Sequence, residues 1–214
     1  MALKEFTFGI GDKFQKVSLP EEHISDVMEG KHIPAVDVKE ATLDCMRHPI
    51  DSAPLQEKVK KGDKVCVVVA DVTRTWNKSN QFLVYIIDEL NLAGVPDEDI
   101  CIVFAQGSHR AQTPEEDELV CGKEVLKRIK TYQHDCQDPS LVDMGTTKIG
   151  TPLKLNKHVV DADKVILVDG ITTHLFAGFG GGRKLILPGV AGYVTIQRNH
   201  CHALSEKVGG GVNP

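Results

Sequence analysis

The chain has 214 residues and a mass of 23.4 kDa, which is enough for one large domain or two small ones. Hydrophobic residues make up 41% and charged residues 26%, values that exclude an intrinsically disordered chain. A formal charge of −5 and an aromatic content of 5% argue against nucleic acid as the main partner, because neutralising phosphates takes a basic face.

The apolar runs of the sequence are short. The longest, Val65–Ala70 and Phe82–Ile87, fall far below the roughly 20 residues that cross a bilayer. The first twelve residues include Glu5 and no continuous apolar stretch, so no secretory signal is readable. We therefore expect no membrane partner and a cytoplasmic location. The six cysteines form no CxxC pair, and we expect reduced, mainly structural thiols.

Residues 1–50 are predicted to form a β-rich N-terminal segment. Glu5–Ile10 and Lys13–Leu19 alternate around a Gly11-Asp12 turn, which favours a hairpin. A short helix is expected to follow over Val38–Arg47.

From Val59 onward the pattern alternates between strands and helices. Three segments are apolar and rich in β-branched residues, as in strands buried on both faces of a parallel sheet: Val65–Ala70, Ile100–Ala105 and Lys164–Val168. Helices are predicted over Ser79–Leu92, from the capping box at Thr113-Pro114, and over Thr195–Leu204. The predicted fold class is α/β: a three-layer, Rossmann-like parallel sheet with helices on both faces, preceded by the β-rich segment.

Three polar clusters each begin where a predicted strand ends: Asp71-Val72-Thr73-Arg74, Gly107-Ser108-His109-Arg110 and Asp169 to His174. In open parallel sheets, ligands bind outside the carboxyl ends of the strands, so we expect the clusters to share one edge of the sheet. The alternative is three ordinary solvated loops.

The side chains in these clusters suit acid–base chemistry on an anion. Arg74 carries a planar guanidinium that matches a carboxylate or a phosphate, which makes it a candidate anion clamp. His109 and His174 are candidate general acids and bases, because imidazole exchanges a proton near neutral pH. Taken singly, each residue also has an ordinary structural interpretation.

The segment from His174 to Lys184 is rich in glycine and fits neither a Walker loop nor a GxGxxG pattern. Gly181 and Gly182 let backbone N–H groups approach an anion closely, and Arg183 and Lys184 add positive charge. A neighbouring cation and partial burial would lower the pKa of Lys184, which favours a nucleophilic amine. The alternative is a flexible hinge with two solvated cations.

A potential metal ligand follows at His200, next to Cys201 and His202. The spacing does not make a complete metal site. A metal would bind here only if a cofactor supplied the other ligands.

Together, these motifs, the sequence Leu187-Pro188-Gly189-Val190-Ala191-Gly192 and the pair Asn199-His200 resemble the N-terminal domain of the nickel-pincer nucleotide-dependent lactate racemase family. The resemblance implies a cofactor, pyridinium-3,5-bisthiocarboxylic acid mononucleotide with nickel. It also implies the site roles: His109 and His174 as catalytic acid/bases, Asp71 and Arg74 in substrate binding, Lys184 as cofactor tether with Gly181, Gly182 and Arg183 beside it, and His200 as metal ligand.

The resemblance further implies racemisation or epimerisation of a 2-hydroxy acid, lactate or a related hydroxy or sugar acid, by hydride transfer to the cofactor. The implied partners are that small-molecule substrate, cofactor synthesis proteins and an absent C-terminal domain. Residues 1–205 are then the cofactor-binding catalytic domain and 206–214 a linker, and the isolated chain is expected to be inactive. Two alternatives stay open: a phosphate- or nucleotide-binding domain without catalysis, and a redox or metal-storage protein using His200 and Cys201.

Overall fold

The computed structural model describes residues 2–205, which fall into two compact units, one ending at Ala35 and the other beginning at Val36. The first unit contains the predicted hairpin, formed by β1 (Leu3–Ile10) and β2 (Lys13–Pro20). The two strands pair antiparallel with Ile10 opposite Lys13, and a 3₁₀ turn over Glu21–His23 follows. The predicted linker at 206–214 lies outside the described residues.

The second unit is an α/β domain. Its strands are β3 (Val65–Ala70), β4 (Ile100–Ala105), β5 (Lys130–Gln133), β6 (Val142–Thr146), β7 (Pro152–Leu155), β8 (Lys164–Val168), β9 (Thr173–His174) and β10 (Gly178–Phe179). Its α-helices are α1 (Val38–Arg47), α2 (Leu55–Lys58), α3 (Leu83–Leu92), α4 (Pro114–Cys121), α5 (Lys123–Arg128), α6 (Lys157–Val160) and α7 (Tyr193–His200). Its 3₁₀ turns cover Val72–Asn77, Ser79–Gln81, Asp97–Asp99, Gly182–Leu185 and Cys201–Leu204.

Four strands form the central sheet in the order β5-β4-β3-β8, and all of its pairs are parallel. The central strand β3 is buried along its whole length, as its unbroken apolar sequence predicts. Its register places Val65 opposite Ile100 on one side and opposite Lys164 on the other. The α/β class and the parallel sheet are therefore confirmed.

Both faces of the sheet are covered, which gives the predicted three layers. On one face Val65, Val67 and Val69 pack with buried residues of α3, α4 and α5. On the other face Cys66 and Val68 pack with residues of α6 and of the segment after Gly182. Alternate side chains of β3 thus enter opposite halves of the core, and both halves hold the central strand in place.

Two predicted helices differ in their limits. The helix predicted from Ser79 begins at Leu83, because Phe82 has a non-helical φ of −129° and Ser79–Gln81 form a separate 3₁₀ turn. The helix predicted over Thr195–Leu204 is α7 at Tyr193–His200, and its continuation tightens into the 3₁₀ turn after His200.

The sequence analysis missed the edge strand β5 and the antiparallel pair of β6 and β7. The edge strand reads Lys-Thr-Tyr-Gln, a sequence without an apolar run, because an edge strand has one side open to solvent. Within residues 2–205, no helix is long and apolar enough to cross a membrane.

His134 is a buried polar residue that ties three segments of this domain together. Its backbone N–H donates to Gln106 Oε1 at 2.7 Å, and its Nε2–H donates to the carbonyl of Ala191 at 3.0 Å. The side-chain amide of Asn156 donates to Nδ1 at 3.2 Å. Burial lowers the pKa of His134, and a proton on Nδ1 would also face the Asn156 donor. The fold therefore favours the neutral form of this imidazole.

We expect the free energy of unfolding to decrease on acidification below about pH 6.5, by at most about 1.4 kcal/mol per pH unit from His134. The folded-state pKa is below the unfolded value, so the unfolded chain binds more protons in this range. Urea unfolding at pH 7.5 and pH 5.5 measures the effect. His134→Gln should flatten the pH dependence, whereas His23→Gln at an exposed position should keep it; equal slopes in all three proteins would contradict the assignment.

Candidate functional site

A cavity of about 210 Å³ opens at the carboxyl edge of the central sheet. Three strand ends contribute to its lining, through Asp71 after β3, His109 after β4 and Asp169 after β8. The candidate residues of the sequence analysis that line it are Asp71, Arg74, His109, Lys184 and His200. The strand-end clusters therefore meet at one edge of the sheet.

His174 lines a neighbouring cavity of about 270 Å³. The residue ends β9, where it pairs with Gly178 of β10. Lys184 and His200 line both cavities, so the two cavities share a wall formed by these residues. The second histidine thus approaches the same pair of residues from another loop.

Asp71 is buried and uses both carboxylate oxygens. One oxygen lies 2.5 Å from Nδ1 of His109, and the other accepts a hydrogen bond from the Thr73 hydroxyl. The His109 side chain is about half exposed, at 49% of its accessible surface, against 4% for Asp71. Because little packing surrounds the His109 ring, the carboxylate is the main group that orients it.

The hydrogen bonds give the two histidines opposite tautomers. The carboxylate of Asp71 can only accept, so His109 carries its proton on Nδ1 and presents Nε2 as an acceptor. In His174, Nδ1 accepts from the backbone N–H groups of Phe176 and Ala177 at 3.2 and 3.1 Å, so Nε2 carries the proton. In their neutral forms, His109 therefore presents a lone pair at Nε2, and His174 presents an N–H donor at Nε2.

Arg74 and Lys184 bring two positive charges to this edge of the sheet, beside the carboxylates of Asp71 and Asp169. Arg74 Nη1 lies 3.9 Å from Asp71 Oδ1 and donates to the Thr73 hydroxyl at 2.6 Å. Burial and the Arg74 charge lower the pKa of Lys184, and Asp169 opposes them. Burial, Lys184, Arg74 and His200 lower the pKa of His174 in turn. The charges of Arg74, Lys184 and His174 are therefore electrostatically coupled.

His200, at the end of α7, has the geometry of a metal-binding imidazole. Its Nδ1–H donates to the carbonyl of Ile196 at 2.8 Å, which leaves Nε2 as a free lone pair. Protein histidines that bind metals commonly anchor the other ring nitrogen in this way. The described residues contain no group of three or more His, Cys, Asp or Glu side chains that could hold a metal alone. A metal at His200 would need ligands from a bound molecule.

The glycine loop borders a third cavity, of about 550 Å³, lined by Gly181, Gly182, Arg183 and Lys184. Gly181 has φ +74° and ψ −173°, a conformation essentially restricted to glycine. Its carbonyl accepts the backbone N–H of Lys184 at 3.0 Å. The conformation of the loop thereby fixes the backbone position of Lys184, from which its side chain extends.

Residues that the sequence analysis did not single out connect the loops of the site. The side-chain amide of Asn77 donates to Asp169 at 3.2 Å, which links the segments after β3 and β8. The indole of Trp76 lies against Gly170, where an added Cβ would be 2.5 Å from the ring. Gln106 directly follows β4 and lines the first cavity. Its position at a strand end is the one sequence signal that could have found it.

The fold and the site define a three-layer α/β protein with a candidate ligand site, bearing histidines, Arg74 and Lys184, at the carboxyl edge of its sheet. The chain belongs to the family described as the lactate racemase N-terminal domain, which matches residues 10–211. The resemblance given by the sequence motifs is thereby confirmed.

Named relatives agree with this family. The chain is 29% identical over 187 residues to a lactate racemase of Thermoanaerobacterium thermosaccharolyticum, covering 86% of this chain and 43% of the relative. It is 33% identical over 154 residues to a lactate racemase of Lactiplantibacillus plantarum, covering 72% of this chain and 36% of the relative. The chain therefore spans less than half the length of these relatives.

Two solved structures are similar to this chain in fold. The lactate racemase apoprotein of T. thermosaccharolyticum superposes with a TM-score of 0.80 at 28% identity, over 92% of this chain and 46% of that one. A Thermotoga maritima protein of known crystal structure superposes with a TM-score of 0.65 at 24% identity, over 82% of this chain and 43% of that one, and shows the shared fold.

We expect Gly181→Ala to lower the melting temperature more than Gly182→Ala does. Both glycines have positive φ, +74° and +48°, so each alanine is strained. At Gly181 the new Cβ would also lie 2.8 Å from the carbonyl oxygen of Gly170, whereas the position at Gly182 is open. Thermal unfolding of the two variants measures the difference, and equal losses would show that the contact with Gly170 is unimportant.

We expect two charge changes to alter the reactivity of Lys184 in opposite directions. Asp169→Asn removes a charge that raises the pKa of Lys184, so acetylation at pH 7 should accelerate, roughly two- to fivefold. Arg74→Gln removes a charge that lowers the pKa and should slow the reaction by a similar factor. Peptide mass spectrometry after limited acetylation measures both, with exposed Lys78 as internal reference. Changes of the same sign would refute the electrostatic coupling.

Proposed function

We propose that the complete protein containing this chain racemises or epimerises a 2-hydroxy acid, and that this chain supplies the acid–base pair and the cofactor site. The observation that carries the proposal is the pair of imidazoles with opposite tautomers, His109 and His174, on either side of Lys184 and His200. Membership in the lactate racemase N-terminal domain family supports the same reaction class.

The reaction needs groups of this kind. Inverting a carbinol carbon through a planar ketone removes a hydrogen with its electron pair from carbon and a proton from the hydroxyl, and then returns both to the opposite face. His109 accepts the hydroxyl proton on Nε2, while the Asp71 carboxylate stabilises the imidazolium that forms. His174 acts as the acid in its imidazolium form: it gives the Nε2 proton to the rebuilt hydroxyl and is left as the neutral ring. For the other enantiomer neutral His174 takes the hydroxyl proton, and the His109 imidazolium, stabilised by Asp71, gives one back.

Arg74 is the residue best suited to bind the substrate carboxylate. Its guanidinium lines the cavity together with His109, and the fork of N–H donors matches a carboxylate. The carboxylate of Asp71 is already bonded to His109 and Thr73, so we assign it to orienting the base. A fixed carboxylate places the neighbouring hydroxyl within reach of an imidazole, which is where orientation contributes to rate.

The donor set fits the nickel-bearing pyridinium mononucleotide that the resemblance implies. Lys184 would hold its carboxyl group covalently, His200 Nε2 would bind nickel, and Gly181, Gly182 and Arg183 would hold its phosphate. When bound, the cofactor supplies the group that takes and returns the hydrogen of the carbinol carbon. Proteins that synthesise the cofactor, and a second domain that closes the cavity, are the partners this proposal requires.

The second candidate function is a phosphate- or nucleotide-binding domain without catalysis. The cavity at the glycine loop favours it, because Arg183, Lys184 and backbone N–H groups there suit an anion. This candidate assigns no role to the tautomers of His109 and His174.

The exchange Lys184→Arg, compared with Arg183→Lys, separates the two functions. A guanidinium stays protonated to about pH 12 and cannot act as a nucleophile, although it binds phosphate well. In the complete protein, coexpressed with the cofactor synthesis enzymes, Lys184→Arg should abolish the covalent mass adduct and most racemisation. Arg183→Lys should only weaken cofactor loading.

Intact-mass measurement and chiral chromatography of lactate or a related hydroxy acid give the two readouts. Equal, modest losses from both substitutions, with no adduct in the parent protein, would contradict the covalent tether and favour the plain anion site.

A further inference from the structure

We infer that Gln112 is a positioning residue that holds Asp71 in place to orient His109, through a network of three glutamines beneath the site. The inference rests on the proposed function, in which His109 is the proton acceptor, and it adds residues to which neither the motifs nor the family resemblance assigned a role.

Gln112 joins the segment after β3 to helix α4. Its side-chain oxygen accepts the backbone N–H of Val72, the residue after Asp71, at 2.6 Å. Its side-chain nitrogen donates to Asp117 Oδ1 of α4 at 2.7 Å. The residue itself is buried, at 8% exposure. The position of the chain directly after Asp71 therefore depends on this amide.

Only one orientation of the Gln112 amide satisfies both of its partners. Its oxygen must face the N–H donor of Val72, and its nitrogen must face the carboxylate of Asp117, so an amide rotated by about 180° would lose both hydrogen bonds. Asp117 also accepts from the side-chain nitrogen of Gln133, at 2.8 and 3.0 Å to its two oxygens. Gln133 Oε1 then accepts the backbone N–H of Gln112 at 3.0 Å. Each group fixes the donor–acceptor direction of the next.

The same network reaches the loop that carries His109. Gln106 donates through its side-chain nitrogen to Gln133 Oε1 at 2.6 Å and to the carbonyl of Arg110 at 3.1 Å. Its backbone carbonyl accepts the N–H of His109 at 2.9 Å. The segments bearing Asp71 and His109 are thus attached to one set of amides, at Gln112 and Gln106.

A positioning role follows from the contrast in burial between His109 and its partner. The half-exposed ring has little packing of its own, so the place of the Asp71 carboxylate decides its tautomer and its direction. A shift of the chain at Val72 moves Asp71 with it. Gln112 therefore acts on the acceptor nitrogen of His109 without touching it.

Gln112→Glu tests the inference in the 214-residue chain, because it keeps the shape and replaces the donor to Asp117 by a carboxylate oxygen. ¹⁵N-histidine NMR, assigned with His109→Gln, should show the parent ring with its proton on Nδ1. In Gln112→Glu the Nδ1 proton should exchange with water roughly tenfold faster, and the tautomer preference should be lost. Gln137→Glu makes the same change at an exposed position in the loop between β5 and β6, and it should leave the His109 signals unchanged.

Adding Asp117→Asn to Gln112→Glu reverses donor and acceptor, and should restore the Nδ1 proton signal. Gln112→Met removes both side-chain bonds without adding a charge, and should reproduce the loss if the glutamate variant fails to fold. A lower melting temperature with unchanged His109 signals in either folded variant would overturn the inference and leave Gln112 with a purely structural role.

The NMR readout is independent of turnover. If the tautomer responds as expected but the complete protein racemises no hydroxy acid, the positioning role stands and the proposed function fails. If racemisation is present while the Gln112 variants leave the His109 tautomer unchanged, the proposed function stands and this inference fails.

Discussion

Parallel pairing of β3 with its two neighbours is the constraint on which the site depends. The register sets Ala70 opposite Ala105 and Val69 opposite Val168, so strands β3, β4 and β8 end at nearly the same position along the strand direction. The next residues, Asp71, Gln106 and Asp169, therefore come together although they are far apart in sequence. Both faces of β3 are packed, so a register slip would disrupt the packing of both halves of the core, and the strand ends that carry the site are held in place by that packing.

The sequence predicts the parts of the molecule that follow from local pattern and chain order. Continuous apolar runs predict the buried strands, and the carboxyl ends of parallel strands lie at one edge of a sheet. The proximity of Asp71 and His109 could therefore be predicted. The glutamine contacts could not be. Val72 and Gln112 are 40 residues apart, and Gln106 and Gln133 are 27 apart. Amide bonds of this kind leave no periodic signal, and only the folded backbone brings their partners within 3 Å.

The electrostatics of the site balance two needs. Under the proposed function, an anionic ligand requires positive charge, which Arg74 supplies, while a nucleophilic amine at Lys184 and a proton-exchanging imidazole at His174 require that positive charge does not accumulate on them. Burial and neighbouring positive charges lower the pKa values of Lys184 and His174, which shifts both groups toward their neutral forms. The Asp169 carboxylate moderates the effect on Lys184. The Arg74 guanidinium remains the fixed positive charge of the site.

The contact of Trp76 with Gly170 has a consequence for redesigning this edge of the sheet. The indole occupies the space that a side chain at Gly170 would need, and Asn77 bonds to Asp169 beside it. The loops after β3 and β8 are therefore packed against each other. A change in the length of one loop would disturb the contacts of the other. A library that varies one loop would sample mostly misfitting combinations, so reshaping this edge of the sheet requires that both loops are varied together.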